Sequence, residues 1–163
     1  GSPSTGPVPL KILELFAGSG NFSFPLALQG AHVTAIEQTP PDRPPSLNTV
    51  PSGSVQFITG RVEKVMKKIL AEKKSYDAVL LDPPRKGASF VLNDIVKLSP
   101  QRIVYVSCFP PTLARDLRFF TGHGYQIEAI QPVDMFPQTY HIESVVLLIN
   151  QASNASEGGP CHD

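Results

Sequence analysis

Lys11-Ile12-Leu13-Glu14-Leu15-Phe16-Ala17-Gly18-Ser19-Gly20 decides the fold. Six mostly apolar residues, the length of a strand, run straight into a Gly-x-Gly turn. Asn21 to Gln29 then has helical spacing, and Gly30 ends it. His32 to Glu37 is a second β-rich run that stops on a carboxylate. A strand, a glycine turn, a helix and a second strand make the first unit of a parallel α/β sheet.

The rest of the chain repeats that alternation. Strands are expected at Val55–Thr59, Tyr76–Leu81, Arg102–Ser107, Tyr125–Ile130 and His141–Ile149. Helices are expected at Val62–Lys74, Phe90–Leu98 and Thr112–Thr121, with Thr112 as the N-cap of the last. Gln38 to Ser54 carries prolines at 40, 41, 44, 45 and 51, which leaves room for one helical turn at most where a crossover helix belongs. Two strands follow one another at the end, so the last is expected to run antiparallel in a seven-stranded, otherwise parallel, Rossmann-like sheet with helices on both faces. That is the arrangement of class I methyltransferases. Residues 1–9, rich in Pro, Gly and Ser, read as a flexible leader or tag, and Gly1-Ser2 as a cloning scar. Residues 10–150 form the domain, and 151–163 a small, polar, disordered tail.

Lys plus Arg and Asp plus Glu each total 14 in 163 residues, so the net charge is zero. No apolar run reaches the roughly 18 residues of a membrane span, and no secretory signal is visible. A soluble, cytoplasmic, monomeric protein is expected. Two cysteines, Cys108 and Cys161, are too few for a metal site or a disulfide framework.

Ligands of open α/β sheets bind beyond the carboxyl ends of the strands. At the first such end lie Glu14, Phe16, Gly18 and Gly20, and Glu37 ends the second strand, placed to accept hydrogen bonds from ribose hydroxyls. Nicotinamide enzymes share this glycine-then-acid logic, but their third glycine is replaced here by Ser23, which favours S-adenosylmethionine. The bland alternative is a tight turn beside a solvated strand end. Asp82-Pro83-Pro84-Arg85 falls at another carboxyl end, its prolines holding the carboxylate over the cleft. Cys108 ends the next strand just ahead of a helix N-terminus, a setting that favours thiolate. Read alone, such a cysteine is more often a small packed hydrophobe.

The strings DPPRKG (82–87), IVYVSC (103–108), TLARDL (112–117) and DMFPQTYHIES (134–144) resemble the RNA (uracil-5-)-methyltransferases that act on tRNA or ribosomal RNA. The resemblance runs from about Lys11 to Ile149 and is strongest from Asp82 to Ser144. It implies S-adenosylmethionine-dependent methylation of uridine C5, with Cys108 as nucleophile, Glu143 as base and Asp82 near both cofactor and pyrimidine. It also implies that Glu14 to Gly20, Asn21 and Glu37 line the cofactor site. Arg85, Lys86, Phe109 and His141 are the substrate-side candidates, each with an alternative as a solvated or packed side chain. Arg115 and Arg118 read as phosphate contacts or solvated helix ends.

Three features depart from the family pattern. Phe109 stands where Asn follows the cysteine, Arg61 stands where an acid follows Gly60, and the crossover after Glu37 is shortened. Family members also carry an N-terminal RNA-binding barrel and an intervening domain, neither found in this sequence, so weak RNA binding by this chain is expected. The competing expectation is a catalytically impaired remnant that binds cofactor or a protein partner. A Rossmann oxidoreductase is disfavoured by Ser23 and by the strings above.

Overall fold

A computed structural model describes residues 8–39, 53–133 and 143–154. Seven strands form one sheet in the order β3-β2-β1-β4-β5-β7-β6. They are β1 (Lys11–Leu15), β2 (His32–Glu37), β3 (Ser54–Thr59), β4 (Ala78–Leu81), β5 (Arg102–Ser107), β6 (Tyr125–Val133) and β7 (Glu143–Asn150). Strands β1 to β5 pair in parallel, and β7 runs antiparallel to both β5 and β6. The expected antiparallel last strand is present. The order reverses between β1 and β4, which opens the ligand crevice at their carboxyl ends.

Side chains alternate across the sheet as the strand period requires. Leu13, Leu15, Val79, Leu81, Ile103, Tyr105, Val146 and Leu148 face α2 (Val62–Ala71), α3 (Leu92–Leu98) and α4 (Pro110–Thr121) in the larger core. Ile12, Val33 and Leu80 face the other way, with Leu26 of α1 (Ser23–Leu28) packed on them. Each fully buried Leu, Ile or Val contributes about 1.5–3 kcal/mol. In α2 the buried positions are Val62, Met66 and Ile69, one stripe of an amphipathic helix.

Several boundaries differ from expectation for local reasons. Helix α4 begins at Pro110, because prolines lacking an N–H suit the first helical turn. Thr112 is therefore inside the helix and is not its N-cap; Phe109 occupies that position. Strand β6 extends past Ile130 to Val133 with a register shift between Ile127 and Ala129; as an edge strand it tolerates Pro132. The tail expected from residue 151 begins instead with a helical turn, α5 (Gln151–Asn154). Asn150 Oδ1 accepts the Ala152 N–H at 3.1 Å, the bond of an Asn cap. The proline-rich crossover, residues 40–52, lies outside the described residues, as do 134–142 and 155–163.

Candidate active site

The carboxyl ends of β1 and β2 open on a cavity of about 790 Å³ whose lining includes Phe16, Glu37, Gln38, Arg61, Glu63, Lys67, Asp82, Lys86 and Phe90. Glu37 is held at its mouth. One carboxylate oxygen, Oε2, accepts the Gly18 N–H at 2.8 Å, and Oε1 accepts the Thr39 N–H at 3.0 Å. The two glycines of the turn do different work. Gly18 has φ +54 with open space where a Cβ would stand, so it leaves the turn approachable. Gly20, at φ +84, is buried, and a Cβ there would come within 2.7 Å of Phe24 and 3.0 Å of Phe57. Both its backbone conformation and the packing of Phe24 and Phe57 require glycine there.

Phe16 also has positive φ, +63, which for a bulky residue is stored strain at the crevice edge. Its ring meets that of Phe90 edge-on, with centroids 6.1 Å apart. Asn21 is exposed in the turn before α1 and is not among the residues lining the cavity. Beneath the turn, Glu14 is 1% exposed and accepts a hydrogen bond from Ser23 Oγ. Burial raises its pKa to about 7, against the Ser23 bond, and the charge of Asp82 adds to the rise. Asp82, exposed at the end of β4, is raised to about 6, mainly by the desolvating walls around it and then by the charge of Glu143. Neither carboxylate has a cationic partner among the described residues.

Cys108 and Glu143 lie at the same end of two adjacent strands. Ser107 and Ser144 are the last pair of the antiparallel β5–β7 ladder, Cys108 follows Ser107 where the chain bends away, and Glu143 precedes Ser144. Cys108 is half-buried, as is Glu143. Ser107 Oγ accepts the Phe109 N–H at 3.1 Å, which pins the turn around the cysteine. Because β5 lies between β4 and β7, Asp82, Cys108 and Glu143 occupy three adjacent strand ends on one edge of the sheet.

Arg85 and Lys86 leave the Asp82 loop in two directions. The Arg85 guanidinium lies over the Phe109 ring at 5.2 Å from its centroid, on the cysteine side. Lys86 Nζ lies 5.3 Å from the Phe90 centroid, on the cavity side. Arg61 is paired with Glu63 at the cavity rim. His141 lies outside the described residues.

Two structural groups were not anticipated. Asp116, fully buried, accepts the Ala88 N–H at 2.8 Å and the Tyr105 hydroxyl at 2.7 Å, and Arg115 Nε donates to it at 2.8 Å. The signal was present: Asp116 stands in the apolar stripe Leu113, Leu117, Phe120 of its helix. Arg115, read as a phosphate contact or a solvated end, pairs with Asp116 and donates to the Lys86 carbonyl at 3.1 Å. Arg118 is exposed, as a solvated helix position.

The family model of tRNA (uracil-5-)-methyltransferases matches residues 54–151. A 23S rRNA (uracil(1939)-C(5))-methyltransferase of Klebsiella pneumoniae is 43% identical over 142 residues, which cover 84% of this chain and 32% of that protein. The chain belongs to the tRNA (uracil-5-)-methyltransferase family. An uncharacterised RNA methyltransferase of Halalkalibacterium halodurans shares 43% over 141 residues, 84% of this chain and 31% of its own length. The chain thus spans about a third of the length of the curated relatives it matches. Among solved structures, the Pyrococcus abyssi tRNA (uracil-54, C5)-methyltransferase in complex with S-adenosyl-L-homocysteine superposes with a TM-score of 0.73 at 32% identity, covering 87% of this chain and 35% of that one. Among the described residues no helix is long and apolar enough to cross a membrane.

Proposed function

We propose that this chain is the S-adenosylmethionine-binding catalytic domain of a cytoplasmic enzyme that methylates uridine C5 in tRNA or ribosomal RNA. The β5–β7 register, whose last pair Ser107–Ser144 leaves Cys108 and Glu143 as the next residues at two adjacent strand ends, is the observation that carries this reading.

The cavity suits a cationic ligand. Asp82 and Glu37 line it, Glu14 lies buried beneath it, and none of the three is in a salt bridge among the described residues, while the cavity's cations Arg61, Lys67 and Lys86 sit at other points of its lining. A sulfonium with an ammonium group would give these carboxylates a cationic partner. Glu37 is placed to accept hydrogen bonds from the ribose hydroxyls, while Phe16 and Phe90 offer apolar walls. When bound, S-adenosylmethionine supplies the methyl group.

The protein's own work falls on the uridine. The Cys108 thiolate adds to C6, the C4 carbonyl becomes an enolate, and C5 gains the electron density that its methylation needs. C5 would then take the methyl group that bound S-adenosylmethionine supplies, the cofactor's sulfur keeping the electron pair of the broken bond as a neutral thioether. Glu143 then takes the C5 proton, the enolate re-forms the C5–C6 double bond, and the Cys108 thiolate is expelled. Asp82 stands between the cofactor side and the pyrimidine edge.

Mass spectrometry of the chain mixed with S-adenosylmethionine and RNA carrying 5-fluorouridine tests this reading. The fluorine cannot leave as a proton does, so a methylated covalent adduct at Cys108 is expected to accumulate. The absence of an adduct, with cofactor binding intact, would favour a second reading: a domain that binds cofactor or a protein partner without turnover. The Phe109 ring beside Cys108, capped by Arg85, favours that alternative.

A further inference from the structure

We propose that Arg115 and Asp116 are the positioning residues of this reaction, setting the distance between the Asp82 loop and Cys108. The proposal rests on the catalytic reading above and adds residues that touch neither cofactor nor uridine.

Neighbouring strands fix the spacing of β4 and β5 at the sheet, but not the loop that leaves β4. That loop is Asp82 to Ala88, and its last part is tied to α4 at four points. Arg85 O accepts from Thr112 Oγ1 at 3.0 Å, and Lys86 O accepts from Arg115 at 3.1 Å. The Ala88 N–H donates to Asp116, and Gly87 packs so closely that a Cβ would stand 2.5 Å from the Arg115 guanidinium and 2.8 Å from Asp116. Helix α4 begins two residues after Cys108. The same helix therefore carries the cysteine's turn and clamps the loop that bears Asp82, Arg85 and Lys86, and Pro83-Pro84 stiffens the span between.

Burying a carboxylate is costly unless its lone pairs are filled. Asp116 is fully buried and filled by Ala88, Tyr105 and the two nitrogens of Arg115. An apolar residue would complete the helix stripe with less desolvation, so the charge is best explained by what it holds in place. The outcome of the clamp is the divergence of Arg85 and Lys86, one toward the cysteine and one toward the cofactor cavity.

Arg115 is half exposed, so Arg115→Met is expected to fold. Single-turnover methyl transfer should fall by roughly 10- to 100-fold, the loss expected from a misplacement on the order of 1 Å. S-adenosylhomocysteine affinity should fall much less than the transfer rate, because the Gly18 turn and Glu37 belong to segments the clamp does not touch, while Asp82 and Lys86 only line the cavity's other side. Hydrogen exchange at Gly87 and Ala88 should quicken while β4 and β5 amides keep their protection. Arg115→Lys, which keeps the charge on Asp116, should restore part of the rate. If Arg115→Met does not fold, Thr112→Val carries the same test through the Arg85 carbonyl. Normal exchange at Gly87 and Ala88, or transfer and cofactor binding falling together, overturns the proposal while an active parent leaves the catalytic reading standing. A parent chain that transfers no methyl group sinks that reading, and the proposal with it.

Discussion

The two halves of the crevice are built on opposite electrostatic plans. At the ends of β1 and β2, among the described residues, Glu14 accepts from the Ser23 hydroxyl and Glu37 from the backbone N–H groups of Gly18 and Thr39. At the ends of β4, β5 and β7, the buried acid Asp116 is filled by donors from three elements and ties segments 28 residues apart. One half leaves Glu14 and Glu37 outside any salt bridge among the described residues, which suits a ligand that brings a cation to them. The other satisfies its buried charge internally, which suits a region whose task is to hold geometry.

The sharpest way to separate the halves is Cys108→Ser. Methyl transfer should drop to background while S-adenosylhomocysteine binding, measured by calorimetry, stays close to the parent value, since the thiol acts on the base. A parallel loss of cofactor binding would mean that the halves are not separable.

The cofactor half should also respond to pH in a particular direction. Glu14 is raised from 4.5 to about 7 in the folded chain, so the protonated form is the one the apo fold favours. That stabilisation is complete below about pH 4.5 and is lost as pH rises through about 7, an effect on the order of 3 kcal/mol. Thermal melting of the apo chain should therefore fall between pH 5 and 8, and Glu14→Gln should flatten the profile. S-adenosylmethionine affinity should move the opposite way, rising with pH, because the cationic ligand prefers the ionised carboxylates. A flat affinity profile would contradict the electrostatic account of this half.

Smaller effects sharpen the comparison. Glu37→Ala should weaken S-adenosylhomocysteine binding by about 1–3 kcal/mol, the range for losing hydrogen bonds to a charged group. RNA binding by this chain should be weak with a shallow salt slope, reflecting about two to four phosphate contacts, as its zero net charge implies. A steep slope in a filter-binding titration would point to a concentrated basic face.

The same division explains what was legible in the sequence. The strands were readable because apolar runs between turn residues leave little freedom: His32–Glu37 and Arg102–Ser107 match residue for residue. The strand-end positions of Glu37, Asp82 and Cys108 followed directly. Side-chain partnerships did not, because they depend on contacts between distant segments. The packing of Phe24 and Phe57 around Gly20 is one such partnership that the sequence does not display. Arg115 looked like a free cation until Lys86 and Asp116 were brought beside it. Helix α4 starts at Pro110, ahead of the capping residue type at Thr112, because prolines suit the first turn as well as a hydroxyl suits the cap.

The opposition of Cys108 and Glu143 is the central claim, and Glu143→Gln tests it most directly. With natural RNA and S-adenosylmethionine, this variant should form the C6 adduct and transfer the methyl group, then stall because C5 cannot be deprotonated. Intact-mass spectrometry should then find methylated RNA bound to the protein, and the double variant with Cys108→Ser should show none. Free methylated RNA released at the parent rate, with no adduct, would contradict the account, since Glu143 would then not be the base that faces the cysteine.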